Sequence, residues 1–281
     1  GEFKVSLGLM DKLLMAITYG DLLLRVVQRV RPYEIQPGSA DALYEKWSKK
    51  CAADLVNGKR WQFKTNIFGI VRDFDNLPLK ADETKPKVGL VGEILVKYHA
   101  LANGNIVQTL EQEGAEVIIP DLINFFLYTA YDDCVKYKLL AGSFADKLKS
   151  KVFIGIIEQY RATLEKALES SKNFHPPESL QELVALARGH VSLGNITGEG
   201  WLLTAEMISL IKSGINNIVC LQPFGCLPNH IVGKGMIREL LHAYPQANIV
   251  PIDCDAGASE VNQLNRIKLM LAVAFEKIKQ T

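Results

Sequence analysis

A short stretch of the chain alternates between strand-like and helix-like patterns, and this alternation constrains the fold more than any other feature. The apolar run Val88–Gly92 is typical of a strand buried in a parallel sheet. An amphipathic pattern over 106–113 indicates a helix that Gly114 ends, and a second apolar strand follows over 116–120. Strand, helix and strand within about 35 residues is the size of one parallel βαβ unit. The sequence therefore predicts an α/β fold built on a parallel sheet.

Two more apolar runs, over 217–222 and 248–253, predict the third and fourth strands. Right-handed crossovers between the strands give the order 2-1-3-4, with helices on both faces of the sheet. The long helical stretch 121–190 predicts an insertion into this α/β domain, which spans 87–281. Further helices are predicted over 199–213, over 228–243 and from Ser259 onward.

Helical periodicity also dominates the chain before the first strand. It predicts helices over 5–30, 41–51 and 61–74, followed by a polar linker. Because three amphipathic helices need a partner surface for their apolar faces, we expect the helical segment 4–86 to pack on the α/β domain. Residues 1–3 lack a start methionine and resemble a cloning scar, so we expect the chain to be a fragment of a longer protein.

The composition argues against several classes of protein. With 32 basic and 31 acidic residues the formal net charge is +1, which gives no electrostatic reason to bind nucleic acid or an anionic membrane. The longest apolar run, Leu269–Phe275, is far shorter than the about 20 residues that cross a bilayer. Five cysteines in 281 residues argue against a disulfide framework and favour a cytoplasmic location.

The chemistry is expected where the strand order reverses, between the first and third strands. Ligands of open α/β sheets bind beyond the carboxyl ends of the strands at this point. The first strand leads into Glu93, the third contains Cys220 and leads into Cys226, and the fourth leads into Cys254. We therefore expect these side chains to lie near one edge of the sheet.

Cys226 is the leading candidate for chemistry because it precedes the N-terminus of a predicted helix. Backbone N–H groups at a helix N-terminus favour the thiolate, which binds metals and attacks as a nucleophile. His230 follows four residues later, so the two side chains suit the start of a zinc site or a nucleophile–base pair. The alternative for Cys226, Cys220 and Cys254 is a buried packing role, and the alternative for His230 is a structural hydrogen bond.

Two glycine-containing segments give weaker indications of a functional site than Cys226 does. Gly233-Lys234-Gly235 differs from a phosphate-binding loop, because Pro228 stands where the first glycine should be and Gly235 where Ser or Thr should be. No ATP site is therefore predicted in this chain. Glu199 suits the first turn of a helix, where an acidic side chain interacts favourably with the helix dipole.

Four segments together resemble one known family. They are Val88-Gly-Leu-Val-Gly-Glu-Ile94 through Asn103, Thr197-Gly-Glu-Gly-Trp201, Gln222-Pro-Phe-Gly-Cys-Leu-Pro-Asn-His230, and Asp253 through Arg266. They resemble the 2-hydroxyacyl-CoA dehydratase and benzoyl-CoA reductase superfamily. The strongest likeness is to the carboxyl-terminal part of the large CoA-substrate-specific enzyme activases, also described as activators of 2-hydroxyglutaryl-CoA dehydratase. The likeness covers most of residues 20–275, and the segment ending at His230 is its most specific part.

The resemblance implies a Rossmann-like α/β fold with helical insertions, and an iron–sulfur cluster of the [4Fe-4S] or double-cubane type held by cysteines. Such a cluster passes single low-potential electrons, supplied by an ATP-dependent activator, for the reductive dehydration of an acyl-CoA substrate. Cys226 is then the first metal ligand, followed by Cys220 and Cys254. Four side chains line the substrate cleft: Glu93, Asn103, Asn229 and His230. The sequence leaves a homodimer open.

Two other interpretations compete with this electron-transferring cluster domain. An iron–sulfur cluster takes about four thiolates, whereas this chain offers at most three near one edge. A scaffold or interaction domain without a complete cluster is therefore the first alternative. A zinc or thiol enzyme that uses Cys226 and His230 is the second.

Overall fold

The computed structural model describes residues 6–57, 60–81, 83–255 and 257–279. The three residues interpreted as a cloning scar lie outside them. The described residues form two compact units. The first unit contains those up to Ala81, together with Asp121–Tyr131 and Ala145–Pro177, and the second contains the remaining ones. The predicted insertion 121–190 is thus divided between the units, and the packing of segment 4–86 on the α/β domain stays a prediction.

From the first strand onward, at least two helices separate each strand from the next. The helices are α1 (Leu7–Val30), α2 (Ser39–Asn57), α3 (Arg60–Asp75), α4 (Ile94–Tyr98), α5 (Ile106–Gln112), α6 (Leu122–Leu139), α7 (Phe144–Glu169), α8 (Leu180–Arg188), α9 (Gly200–Lys212), α10 (Leu227–Val232), α11 (Ile237–Ala243) and α12 (Glu260–Lys279). The strands are β1 (Lys87–Gly92), β2 (Glu116–Ile118), β3 (Asn217–Gln222) and β4 (Asn248–Asp253). Two short 3-10 helices cover Arg31–Tyr33 and Lys234–Met236.

The first unit begins with the three predicted N-terminal helices. The Ser6 hydroxyl accepts a hydrogen bond from the Leu9 N–H (3.2 Å) and caps α1. Three side chains on one face of α1, Leu22, Val26 and Val30, are fully enclosed. Their spacing of four residues places them on one side of the helix, so burial of this stripe stabilises α1 within the unit.

Asp21 of α1 fixes the start of α6. Its two carboxylate oxygens accept hydrogen bonds from the backbone N–H groups of Leu122 and Ile123, both at 2.8 Å. Asp121, next to them, pairs with Arg25 (2.8 Å). Burial, and then the charge of Asp121, raises the pKa of Asp21 well above its ordinary value. A residue of α1 thus caps the N-terminus of α6, which begins 101 residues after Asp21.

The second unit is built on the predicted parallel sheet. Its strands pair in the order β2-β1-β3-β4, all parallel, which confirms the predicted order and the Rossmann-like α/β class. The register places Val88 opposite Val117, Leu90 opposite Val219, and Leu221 opposite Ile252. β2 ends at Ile118, two residues earlier than predicted.

Helices cover both faces of this sheet, and each face has its own apolar cluster. Because successive side chains of a strand point to opposite faces, Val219 and Leu221 contribute to one cluster, and Ile218 and Cys220 to the other. The α12-side cluster joins the first face to helices α5 and α12. The α9-side cluster joins the second face to helices α9, α10 and α11.

The predicted single helix 228–243 is wrong. The chain instead forms α10, a 3-10 turn and α11, with the break at Gly233 (φ −101°, ψ −87°). A Cβ on Gly233 would lie 2.7 Å from the Asn229 carbonyl oxygen and 2.8 Å from Leu203 Cδ2. Because the Asn229 carbonyl is backbone, a residue without a side chain suits this break.

None of the helices that the structure describes is both long enough and apolar enough to span a bilayer.

Candidate functional site

The carboxyl edge of the sheet begins at Gly92, the last residue of β1. Gly92 has a φ of +142°, and a Cβ at this position would lie 2.0 Å from the carbonyl oxygen of Leu221. Glycine is suited to such a conformation and to so close an approach of two backbones. The Glu93 N–H donates to the same carbonyl (3.1 Å). The chain therefore leaves β1 directly over the end of β3, where the strand order reverses.

Glu93 and Asn103, two of the predicted cleft residues, both hold backbone ends in place. Glu93 is the N-cap residue of α4, and its Oε2 accepts from the Val96 N–H (2.9 Å). Asn103 donates from Nδ2 to the Val96 carbonyl (2.8 Å) and accepts at Oδ1 from the Ile106 N–H (3.2 Å). These contacts fasten the α4 turn to the start of α5 and give both residues a structural role at the edge.

Cys226 lies where β3 gives way to α10, at the N-cap position of that helix. The loop before it is anchored by the Phe224 N–H, which donates to Asp255 Oδ1 (2.7 Å). Cys226 is half-buried and belongs to neither apolar cluster. Its Sγ accepts a hydrogen bond from Asn229 Nδ2 (3.0 Å). The sulfur is thus held at the carboxyl edge by a defined donor.

Glu199 connects three segments of this edge, a role that the sequence prediction missed. It occupies the N-cap position of α9, and its side chain bonds away from its own helix. Oε1 accepts from the Ile94 N–H and Oε2 from Asn229 Nδ2, both at 2.9 Å. Glu199 is 7% exposed. The only sequence signal for this role was its place in the family-like segment 197–201.

Asn229 is fully buried, and its amide joins Glu199 to Cys226. Both amide protons are used in those two bonds, whereas Oδ1 has no hydrogen-bond partner among the described residues. His230, the next residue, is half-buried and donates from its backbone N–H to the Cys226 carbonyl (3.0 Å). Cys226, Asn229 and His230 therefore lie within the first turn of α10, and the pairing of Cys226 with His230 in one site stays a prediction.

A second polar group lies at the ends of β3 and β4. Gln222 Nε2 donates to Asp253 Oδ1 (2.7 Å), and Lys234 Nζ donates to Asp253 Oδ2 (3.4 Å). Burial acts to raise the pKa of Asp253, but the Gln222 hydrogen bond and the Lys234 charge outweigh it, so the pKa lies below its ordinary value. The charge of Lys234 thus stabilises the ionised carboxylate of Asp253 at the edge of the sheet.

Cys220 and Cys254, the other two predicted ligands, lie against opposite faces of the sheet. Cys220 is fully buried in the α9-side cluster, and burial raises the pKa of its thiol to about 12. Cys254 is half-buried against the α12-side cluster, and burial raises the pKa of its thiol to about 11. Both shifts favour the neutral thiol over the thiolate that binds metals. The structure does not bring the three sulfurs together.

The donors at this edge do not form a complete ligand set for an iron–sulfur cluster. Cys226 alone of the three candidates lies outside the apolar clusters, whereas a cluster takes about four thiolates. Throughout the described ranges, no group of three or more His, Cys, Asp or Glu side chains is arranged to hold a metal ion. Any cluster bound here therefore needs thiolates in addition to those of this edge.

Comparisons of the chain with protein-family models, with curated proteins and with solved structures give no match.

Proposed function

We propose that this chain belongs to a low-potential electron-transfer system of the 2-hydroxyacyl-CoA dehydratase type. In this proposal it contributes Cys226 as one thiolate ligand of an iron–sulfur cluster, and the other ligands come from a partner or from sequence outside this chain. An ATP-dependent activator supplies the electron, and an acyl-CoA is the substrate of the whole system. The chain itself is then a structural and ligand-donating component rather than a complete enzyme.

The position of the Cys226 sulfur is the observation that supports this proposal. It lies at the carboxyl edge next to the reversal of strand order, the place where α/β sheets bind ligands. It is half-buried, outside both apolar clusters, and accepts an amide hydrogen bond. Hydrogen bonds to sulfur are among the features by which proteins tune thiolate-ligated clusters.

The experiment is anaerobic reconstitution with iron and sulfide, followed by measurement of both elements per chain. We expect the chain alone to bind little of either, because one available thiolate does not hold a cluster. In the complete system, isolated anaerobically, Cys226→Ser should lower the bound iron at least about tenfold.

Cys134→Ser is the matched control, because Cys134 is also half-buried but lies on α6. It should keep the iron and sulfide content of the wild type. A Cys226→Ser system that retains normal iron and sulfide would overturn the proposal. Zinc without sulfide, lost in Cys226→Ser and in His230→Ala, would instead support a zinc site.

An interaction domain without a cluster is the second candidate. The observation that favours it is a set of large apolar side chains exposed in the loops and short helices of the carboxyl edge, Leu95, Leu101, Phe224 and Leu227. Groups of exposed apolar side chains that polar residues surround are typical of protein-binding surfaces. Complete absence of iron and sulfide from the anaerobically isolated system would favour this candidate.

A further inference from the structure

We infer that Asn229 is a positioning residue for the Cys226 sulfur, and that the Glu199 carboxylate fixes the direction in which the Asn229 amide points. The importance of this arrangement for metal binding rests on the proposed function. Its test uses the thiol alone, so either proposal can fail without the other.

The Asn229 side chain is placed between an anion and a sulfur. One amide proton goes to Glu199 Oε2 (2.9 Å) and the other to Cys226 Sγ (3.0 Å). An asparagine amide carries two donor protons, so these contacts use its full donor capacity. Both acceptors bond the same nitrogen, and the amide therefore links the two groups directly.

Glu199 makes this orientation the favourable one. Turning the amide by half a rotation would bring Oδ1 toward the Glu199 carboxylate, where two oxygen acceptors repel each other. Glu199 is itself held by the Ile94 N–H (2.9 Å) and is nearly buried, so it does not turn away. Charge-assisted hydrogen bonds of this kind are stronger than neutral ones. The carboxylate therefore directs the amide N–H groups toward the sulfur.

The orientation is retained at the expense of an unsatisfied acceptor. Asn229 Oδ1 is buried without a hydrogen-bond partner among the described residues. Most buried polar atoms in proteins are paired, and an exception requires an explanation. The explanation is that both amide protons of Asn229 are directed to Glu199 and Cys226. Any rotation of the amide that gave Oδ1 a partner elsewhere would remove a donor from the sulfur.

The chemical effect falls on the thiolate form of Cys226. A donor aimed at sulfur stabilises the negatively charged form more than the neutral thiol. The thiolate is the form that reacts with alkylating agents and ligates metals. Removal of the Asn229 donor should therefore lower the reactivity of the Cys226 sulfur.

The test measures alkylation of Cys226 by iodoacetamide at one pH, on the Cys226 peptide by mass spectrometry. The rate is divided by the alkylation rate of Cys134 in the same sample, which corrects for reagent and handling. We expect Asn229→Leu, which keeps the volume and removes the donor, to lower this ratio about three- to tenfold.

Asn248→Leu is the matched control in the same unit. The Asn248 amide donates to Asn217 Oδ1 (3.0 Å) and to the Met270 carbonyl (3.1 Å), at the opposite edge of the sheet. It should leave the ratio unchanged. An unchanged ratio in folded Asn229→Leu would overturn the inference.

A second measurement on the wild-type fold covers the case in which Asn229→Leu does not fold. One side-chain amide proton resonance of Asn229 should move in Cys226→Ala, because its acceptor is lost. The other should move in Glu199→Gln, because its acceptor loses its charge. Resonances that keep their wild-type positions in both variants would also overturn the inference.

Discussion

At the scale of single residues, Gly92 determines how the chain passes from the sheet to the candidate site. Its φ of +142° and the 2.0 Å approach of a Cβ to the Leu221 carbonyl oxygen leave no room for a side chain. Since the obstacle is backbone rather than a flexible side chain, β1 and β3 would have to move apart at their ends. The Glu93 N–H bond to that carbonyl would be weakened at the same time.

We therefore expect Gly92→Ala to lower the free energy of unfolding by about 2–4 kcal/mol. Urea denaturation followed by circular dichroism measures this change. Gly189→Ala is the control, because Gly189 has a φ of −79° and open space where a Cβ would lie. It should change stability by less than about 0.5 kcal/mol. Equal stabilities for the two variants would contradict the assigned role of Gly92.

The residues of the candidate site were only partly predictable from the sequence. Cys226 was placed correctly because the end of a strand and the start of a helix are local patterns. The separation of Cys220 from Cys254 depends on which face of the sheet each side chain meets. The role of Glu199 depends on Ile94, 105 residues away, and no local pattern reports such a contact.

At the scale of helices and strands, the apolar runs predicted the four strands because burial on both faces removes the alternation of polar residues. Right-handed crossovers predicted the order of the strands. The helix break at Gly233 could not be predicted in the same way. The apolar periodicity continues through 228–243, but Gly233 and Gly235 lie within it and the helix breaks at Gly233. Glycine has a low helix propensity, and a prediction from apolar spacing alone does not take this into account.

The capping of α6 by Asp21 gives a prediction at the same scale. Asp21→Ala would leave the buried start of α6 without acceptors for the Leu122 and Ile123 N–H groups. We expect a loss of about 1–3 kcal/mol in the free energy of unfolding. Hydrogen exchange at those two amides should become faster, which nuclear magnetic resonance measures residue by residue.

The control for Asp21 is Asp41→Ala in the same unit. Asp41 is largely exposed and pairs with Arg31 (2.8 Å), so its loss should change stability by less than about 1 kcal/mol. Wild-type exchange rates at Leu122 and Ile123 in Asp21→Ala would show that another group caps α6.

At the scale of the whole molecule, the buried carboxyl of Asp132 should make stability depend on pH. Burial raises the pKa of Asp132 to about 7, with a further contribution from the charge of Asp133 and an opposing one from Lys136. The unfolded-state value is about 3.9. Between these values the folded protein binds more protons than the unfolded chain, so stability falls as the pH rises from about 4 to about 7 and then levels off.

Asp132→Asn removes this titration. We expect the variant to match the wild type near pH 4 and to exceed its free energy of unfolding by up to about 4 kcal/mol at pH 8. Thermal unfolding at several pH values measures the difference. Asp133→Asn, at the more exposed neighbour, should change stability by less than about 0.5 kcal/mol. Parallel pH profiles for Asp132→Asn and the wild type would contradict the prediction.

The strand order also determines which strands of the second unit are at the edges of the sheet, where another molecule's sheet could pair. β4 is an edge strand, and its Asn248 and Cys254 N–H groups donate toward β3, so the backbone groups of the odd-numbered residues point outward. The central outward position is Pro251, which has no N–H to offer. β2, at the other edge, has only three residues. A short strand and an edge proline both discourage sheet-to-sheet pairing. Self-association of this chain through a continuous intermolecular sheet is therefore disfavoured at both edges.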